Sequence, residues 1–178
     1  MDTTSESIKI GVSACIIGEK IRWDGMHRRD LYLSEILAKH VEFIPLCPKI
    51  TCGMGIPREE LRQADCAGNI RLIGYKSGDD LTQKMTEWAE RVLHGLGEEE
   101  LNGFVLKQSS PSCGMHHAKI FSTTGKPHRL GSGFFARKLI KYATLLFKTL
   151  SFKTTPKKKH RCTISCHRLF QKTVELGG

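Results

Sequence analysis

Three short apolar runs constrain this chain more than anything else in it: IKIGVSA at 8–14, VEFIPL at 41–46 and NGFVLK at 102–107, each followed closely by a cysteine. Runs of this length, bounded by small residues, glycine or proline, read as buried strands. Pro45 and Pro48 prevent the second from continuing. Between the first two lies RDLYLSEILAK (29–39), where Leu33, Ile36 and Leu37 share one helical face. Before the third, Asp79 or Asp80 can cap a long helix to about residue 95, with Leu81, Met85, Trp88 and Val92 as its apolar stripe and Gly95 and Gly97 as its stop. Alternating strands and helices build parallel sheets. The expected fold is therefore single-domain α/β, a mostly parallel sheet flanked by helices. Neighbouring parallel strands bring Cys15, Cys47 and Cys113 to one end of that sheet, the end where open α/β folds place ligands.

Three further elements complete the expectation. The segment 52–71 carries a short helix opening at Pro57, since proline suits a first helical turn. A short strand covers 119–122, and a helix runs from Gly131 to Tyr142 with Phe134, Phe135, Leu139 and Ile140 available for burial.

Composition narrows the class. The chain has 178 residues, enough for one domain with a real core. No segment approaches the roughly eighteen apolar residues of a membrane helix. The start, MDTTSESIK, has no basic and then apolar leader pattern, which makes the cytoplasm the default compartment. Seven cysteines in a reducing compartment point to ligands, nucleophiles or buried thiols, not to disulfides. The net charge of +10 is local: positions 137–178 hold 11 of the 28 basic residues and one of the 18 acids, so the remainder is neutral.

The cysteines differ in setting. SPSCG holds Cys113 between Pro111 and Gly114 after two hydroxyls, a tight loop that presents sulfur and backbone N–H groups together. LCPKITCG places Cys47 before Pro48, with Cys52 reading as a small buried residue. Cys66 has no chemical company, and Cys162, Cys166 and His167 lack the fourth ligand of a zinc site. Soft thiolates select zinc, copper(I) or iron–sulfur clusters, and spacing alone leaves a zinc and a cluster both open.

The blocks VSACIIGEKIRWDG, IPLCPKITCGMGIPRE and KQSSPSCGM resemble the signature blocks of the DUF523 family, which includes thiouracil desulfurases. The resemblance runs from about residue 8 to residue 140. CGMGIPRE, GYKSGDDLTQKMTEWAER and GSGFFAR are most similar to members in which this domain precedes a DUF1722 domain. The resemblance implies a [4Fe–4S] cluster on Cys15, Cys47 and Cys113, zinc being the alternative metal. It implies an iron free to take the substrate's sulfur, and non-redox C–S cleavage of a small thiocarbonyl compound such as a thiolated pyrimidine. It places Ser110 beside the substrate and makes Asp24 of RWDG a site-wall residue. Where the family usually reads CPE, with glutamate the proton-transfer group, this chain has Lys49. Glu59, Glu60, His116 and His117 are the substitutes within reach of the motifs.

The division expected is a cluster-binding domain over 1–142 and a basic, partly disordered extension over 143–178, in which nothing resembles DUF1722; a truncated or frame-shifted C-terminus is the expectation there. Two other functions follow from the same residues. Lys49 could leave a cluster-binding protein without catalysis, and the KKKHR tail could bind nucleic acid through phosphates.

Overall fold

The computed structural model describes residues 7–98, 101–122, 124–146 and 162–166. Most of 143–178, including His167 and the KKKHR run, lies outside the described residues. Two sheets form the frame. The first has the order β2-β1-β5-β8, with β1 at Lys9–Ser13, β2 at Glu42–Leu46, β5 at Gly103–Lys107 and β8 at Cys162–Cys166. Strands β1, β2 and β5 are parallel, and β8 runs antiparallel beside β5. The register sets Ser13 against Leu46 and Val12 against Val105. The three strands therefore end together.

Alternation along β5 shows why the central strands of the first sheet are buried on both faces. Phe104 and Leu106 join one core, with Leu72, Met85, Trp88 and Phe135, while Val105 joins the other, with Ile10, Val12, Ile16 and Leu33. Gly11 is required by this packing: a Cβ there would stand 2.4 Å from the Phe104 ring. Phe104 meets Phe135 edge-on at 5.8 Å, and Phe135 lies 5.5 Å from Trp88. These rings tie β5 to the long helix α2 (Thr82–Glu98) and to α3 (Phe134–Leu146).

The second sheet, β4-β3-β6-β7, departs from the expected helix after Pro57. There the chain forms a hairpin, β3 (Leu61–Cys66) against β4 (Asn69–Gly74). Its two-residue turn uses Ala67 at φ 52° and Gly68 at φ 86°. Positive φ at both central positions is the hairpin geometry that matches strand twist. Alanine there conceals the usual Asn-Gly signal. Strand β6 (Ala118–Phe121) joins β3 in parallel, and β7 (Pro127–Gly131) closes the sheet antiparallel to β6. The last helix consequently starts at Phe134 and not at Gly131.

Two helical expectations shift. Residues 29–39 form a wide turn at Tyr32–Ile36 and a tight one at Leu37–Lys39, with the Leu37 N–H shared between the carbonyls of Leu33 and Tyr32. Leu33 is buried, but Ile36 is exposed. Helix α2 passes through Gly95 and Gly97 to Glu98. A glycine costs a helix about 1 kcal/mol, and burial of Trp88, Ala89 and Leu93 on the same helix outweighs it. Among the described residues no helix is long and apolar enough to cross a membrane.

Candidate functional site

Each cysteine is delivered by the end of a parallel strand. Cys15 sits in the tight turn Ala14–Ile16 that ends β1. Cys47 follows β2 in extended conformation and leads into a single helical turn, α1 (Pro48–Thr51), whose proline occupies the position that needs no N–H. Cys113 stands in the loop after β5. All three line one cavity of about 110 Å³, with Ser13, Trp23, Lys49, Arg58, Glu60, Lys107 and Ser110 among its other walls.

The Cys113 loop is held from both sides. Ser110 Oγ accepts the N–H groups of Ser112 at 3.3 Å and Cys113 at 3.2 Å. Ser109 takes φ 54°, an uncommon conformation for a non-glycine residue. Gly114 leaves no room for a side chain, since a Cβ would lie 2.9 Å from the Ser110 carbonyl oxygen. From below, the start of α3 uses the loop as its cap. Gly133 N–H donates to Gly114 O at 2.7 Å, Phe134 N–H to Pro111 O at 3.0 Å and Ala136 N–H to Ser112 O at 3.1 Å. Helix N-termini have N–H groups without intrahelical partners, and here the cysteine loop supplies the acceptors. A Cβ at Gly133 would meet the Ser112 carbonyl carbon at 2.4 Å. The motif GSGFFAR is thus the seat of the cysteine loop.

Burial makes two of these thiols, Cys15 and Cys113, costly to ionise without a positive partner. Burial pushes Cys15 up to about 11, Cys113 and Cys47 raise it further, and Lys107 and Lys49 oppose the rise. Burial also raises Cys113, against the pull of Lys49 and hydrogen bonds from Ser13 and Ser110. The Ser13 hydroxyl accepts the Lys107 N–H at 3.0 Å, leaving its proton for the sulfur. Burial lowers Lys49, Lys107 and Arg58, while the thiols pull each of them back up. Arg58 donates to Gly55 O at 3.0 Å and to Ile21 O at 3.0 Å, and its Nε is buried without a partner. The cavity therefore joins soft donors to a surplus of cations.

The sequence candidates separate clearly. Cys15, Cys47, Cys113, Ser110 and Lys49 come together in the cavity wall. Asp24 stands behind the wall: its carboxylate grips Arg22 through two bonds, at 3.1 and 2.8 Å, and accepts Met26 N–H at 3.1 Å. The bond from Arg22 is the main reason its pKa falls to about 2. Glu59 is engaged elsewhere, accepting Ser77 and Lys76 N–H groups and the Ser77 hydroxyl, whereas Glu60 reaches the cavity. His116 and His117 are exposed and do not line it, and Cys52 packs in the core. Sequence reasoning missed Ser13, Arg58 and Lys107. Ser13 and Lys107 occupy the last positions of β1 and β5, so strand register could have found them; Arg58 follows an unrecognised connection into β3.

Residues 10–149 match the family model described as 2-thiouracil desulfurase. The chain belongs to this family. It is 29% identical over 108 residues to the uncharacterized protein YbbK of Bacillus subtilis (strain 168), a match covering 58% of this chain and 71% of that protein. Its structure is similar to that of the [4Fe-4S]-dependent thiouracil desulfidase TudS, with a TM-score of 0.59 and 27% identity over 75% of this chain and 85% of that one.

Proposed function

We propose that this chain is an iron–sulfur-dependent desulfurase acting by hydrolysis on a small thiocarbonyl compound, a thiolated pyrimidine being the model substrate. The convergence of Cys15, Cys47 and Cys113 on one cavity carries the reading. Three thiols, Cys15 and Cys113 buried and Cys47 half-buried, with hydroxyl donors and neighbouring cations suit a [4Fe–4S] cluster, whose charge and potential depend on such hydrogen bonds. When bound on three cysteines, the cluster supplies one iron without a protein ligand, a Lewis acid with affinity for sulfur.

The protein's part is orientation and proton handling. Ser13 and Ser110 donate to the Cys113 sulfur, and Lys49 and Lys107 offset thiolate charge. Ser110, its oxygen fixed by two backbone N–H groups, stands at the cavity wall beside that sulfur, facing the space that the thiocarbonyl carbon would occupy. Water adds to that carbon, the C–S bond breaks, and the net change is C=S plus water to C=O plus hydrogen sulfide. The water's proton needs an acceptor. Glu60 is the carboxylate that lines the cavity, and it takes the proton-accepting role. Asp24 acts one step away by fixing Arg22 in the wall.

Anaerobically purified protein should contain about four irons and four acid-labile sulfides and release sulfide from 2-thiouracil. A protein loaded with stoichiometric zinc, or a cluster-loaded protein that releases no sulfide from any thiopyrimidine, would refute the proposal. The second reading, cluster binding without catalysis, is favoured by Lys49 among the thiols. Sulfide release appearing only in Lys49→Glu would establish it.

A further inference from the structure

The tryptophan at the cavity has a ring that the fold leaves unused. Trp23 lines the cavity and is 39% exposed, among the larger apolar side chains left open to solvent. The other tryptophan, Trp88, is 4% exposed and packs against Phe135. Among the described residues no aromatic ring and no guanidinium stacks on Trp23, although Arg62 stacks on Tyr75 and Arg137 on Phe134.

Its backbone is nevertheless firmly held. Gly25 N–H donates to Arg22 O at 3.0 Å and Arg22 N–H to Met26 O at 3.2 Å, closing a turn around Trp23 and Asp24. Gly25 takes φ 69°, which a side chain would disfavour. Arg58 N–H donates to Trp23 O at 3.3 Å, tying the turn to the second sheet's approach. Asp24 bonds both to Arg22 and to the Met26 N–H. An exposed indole on a braced turn, beside a cavity of about 110 Å³, is a preorganised flat surface with no intramolecular use.

We infer that Trp23 is the specificity wall of the cavity, stacking on the face of a planar heteroaromatic ring and selecting such rings over non-planar or acyclic thiocarbonyl compounds. This deepens the desulfurase reading and rests on it for the identity of the ring. A base stacked on an aromatic side chain gains affinity from the contact of the two faces, so planarity should be worth about tenfold in affinity.

The test separates stacking from sulfur chemistry by using probes without sulfur. Equilibrium dialysis of the anaerobic, cluster-loaded protein would compare uracil with 5,6-dihydrouracil, which keeps the polar groups but puckers the ring. Uracil should bind about tenfold more tightly. Trp23→Ala should abolish that ratio, and Trp23→Phe should preserve most of it, with iron content unchanged in both. A Trp23→Ala protein that keeps the native ratio, or a native protein that binds neither probe or binds both equally, overturns the inference. Sulfide release from 2-thiouracil, measured on the same preparations, reports on the desulfurase reading separately. Release without planarity selection would sink the inference alone, and planarity selection without release would sink the reaction alone.

Discussion

The two sheets divide the work unequally. The first, built on β1, β2 and β5, brings all three cysteines to the cavity from strand ends in parallel register. The second is mixed, made of hairpins, and contributes no cysteine to the cavity. It does contribute a wall: Arg58, Glu60 and Leu61 lie at or just before the start of β3 and face the same space. On the proposed function the first sheet's strand ends would hold the donors, with Lys49 and Lys107 beside them, while the other sheet's leading edge would add Arg58 and the proposed proton acceptor Glu60. Ligand-holding and chemistry are separable on this arrangement, and mutations should separate them.

The largest effect expected is on the donor side. Cys113→Ala should remove essentially all iron and labile sulfide while the protein keeps its far-ultraviolet circular dichroism, because the side chain removed is small. Retention of a full cluster would break the assignment of donors to the first sheet. Next, Glu60→Gln should leave the iron content intact and slow sulfide release by about a hundredfold, the usual scale of general acid–base catalysis. An unchanged rate would return the proton role to the first sheet. Leu72→Ala, in the fully buried face of β4, should cost about 2–5 kcal/mol in chemical denaturation. Its iron load should be normal below the transition, and iron lost before unfolding would mean that the sheets do not act separately. Gly133→Ala should destabilise by about 1–3 kcal/mol, because the Cβ meets loop backbone that cannot move freely.

The smallest effect concerns pH. The Asp24 carboxyl titrates near 2 in the folded chain, below its unfolded value, because of Arg22. A depressed folded pKa means that the contribution is present above the unfolded value of about 4 and is lost as pH falls toward 2. The difference in denaturation midpoint between the native protein and Asp24→Asn should be small, constant from pH 5 to 8, and shrinking below pH 4. A difference that grows on acidification would contradict the Arg22 pairing.

The same division explains what could be read from residues alone. Strands β1 and β5 announce themselves because burial on both faces demands continuous apolar runs, β2 keeps an apolar run although it is only partly buried at the sheet edge, and their cysteines sit where the topology requires. The hairpin over Leu61–Gly74 hides because its buried positions include Gln63 and its turn is Ala-Gly. Glu60 could be offered only as one of four substitutes, since nothing local distinguishes it from Glu59. Ser77 and Lys76 decide that, and they lie across a connection that sequence spacing does not reveal.

The bonds between α3 and the cysteine loop have a consequence for the order in which the molecule is made. Cys15 and Cys47 emerge early in synthesis, but the loop around Cys113 gains its seat only when Gly133, Phe134 and Ala136 have followed it out and begun a helix. A nascent chain ending anywhere before that point offers two placed thiols and a third on an unbraced segment. On the proposed function, metal acquisition would be coupled to a late event in chain growth, because a nascent chain whose residue 136 has not yet left the ribosome would offer only a half-built receptor for iron.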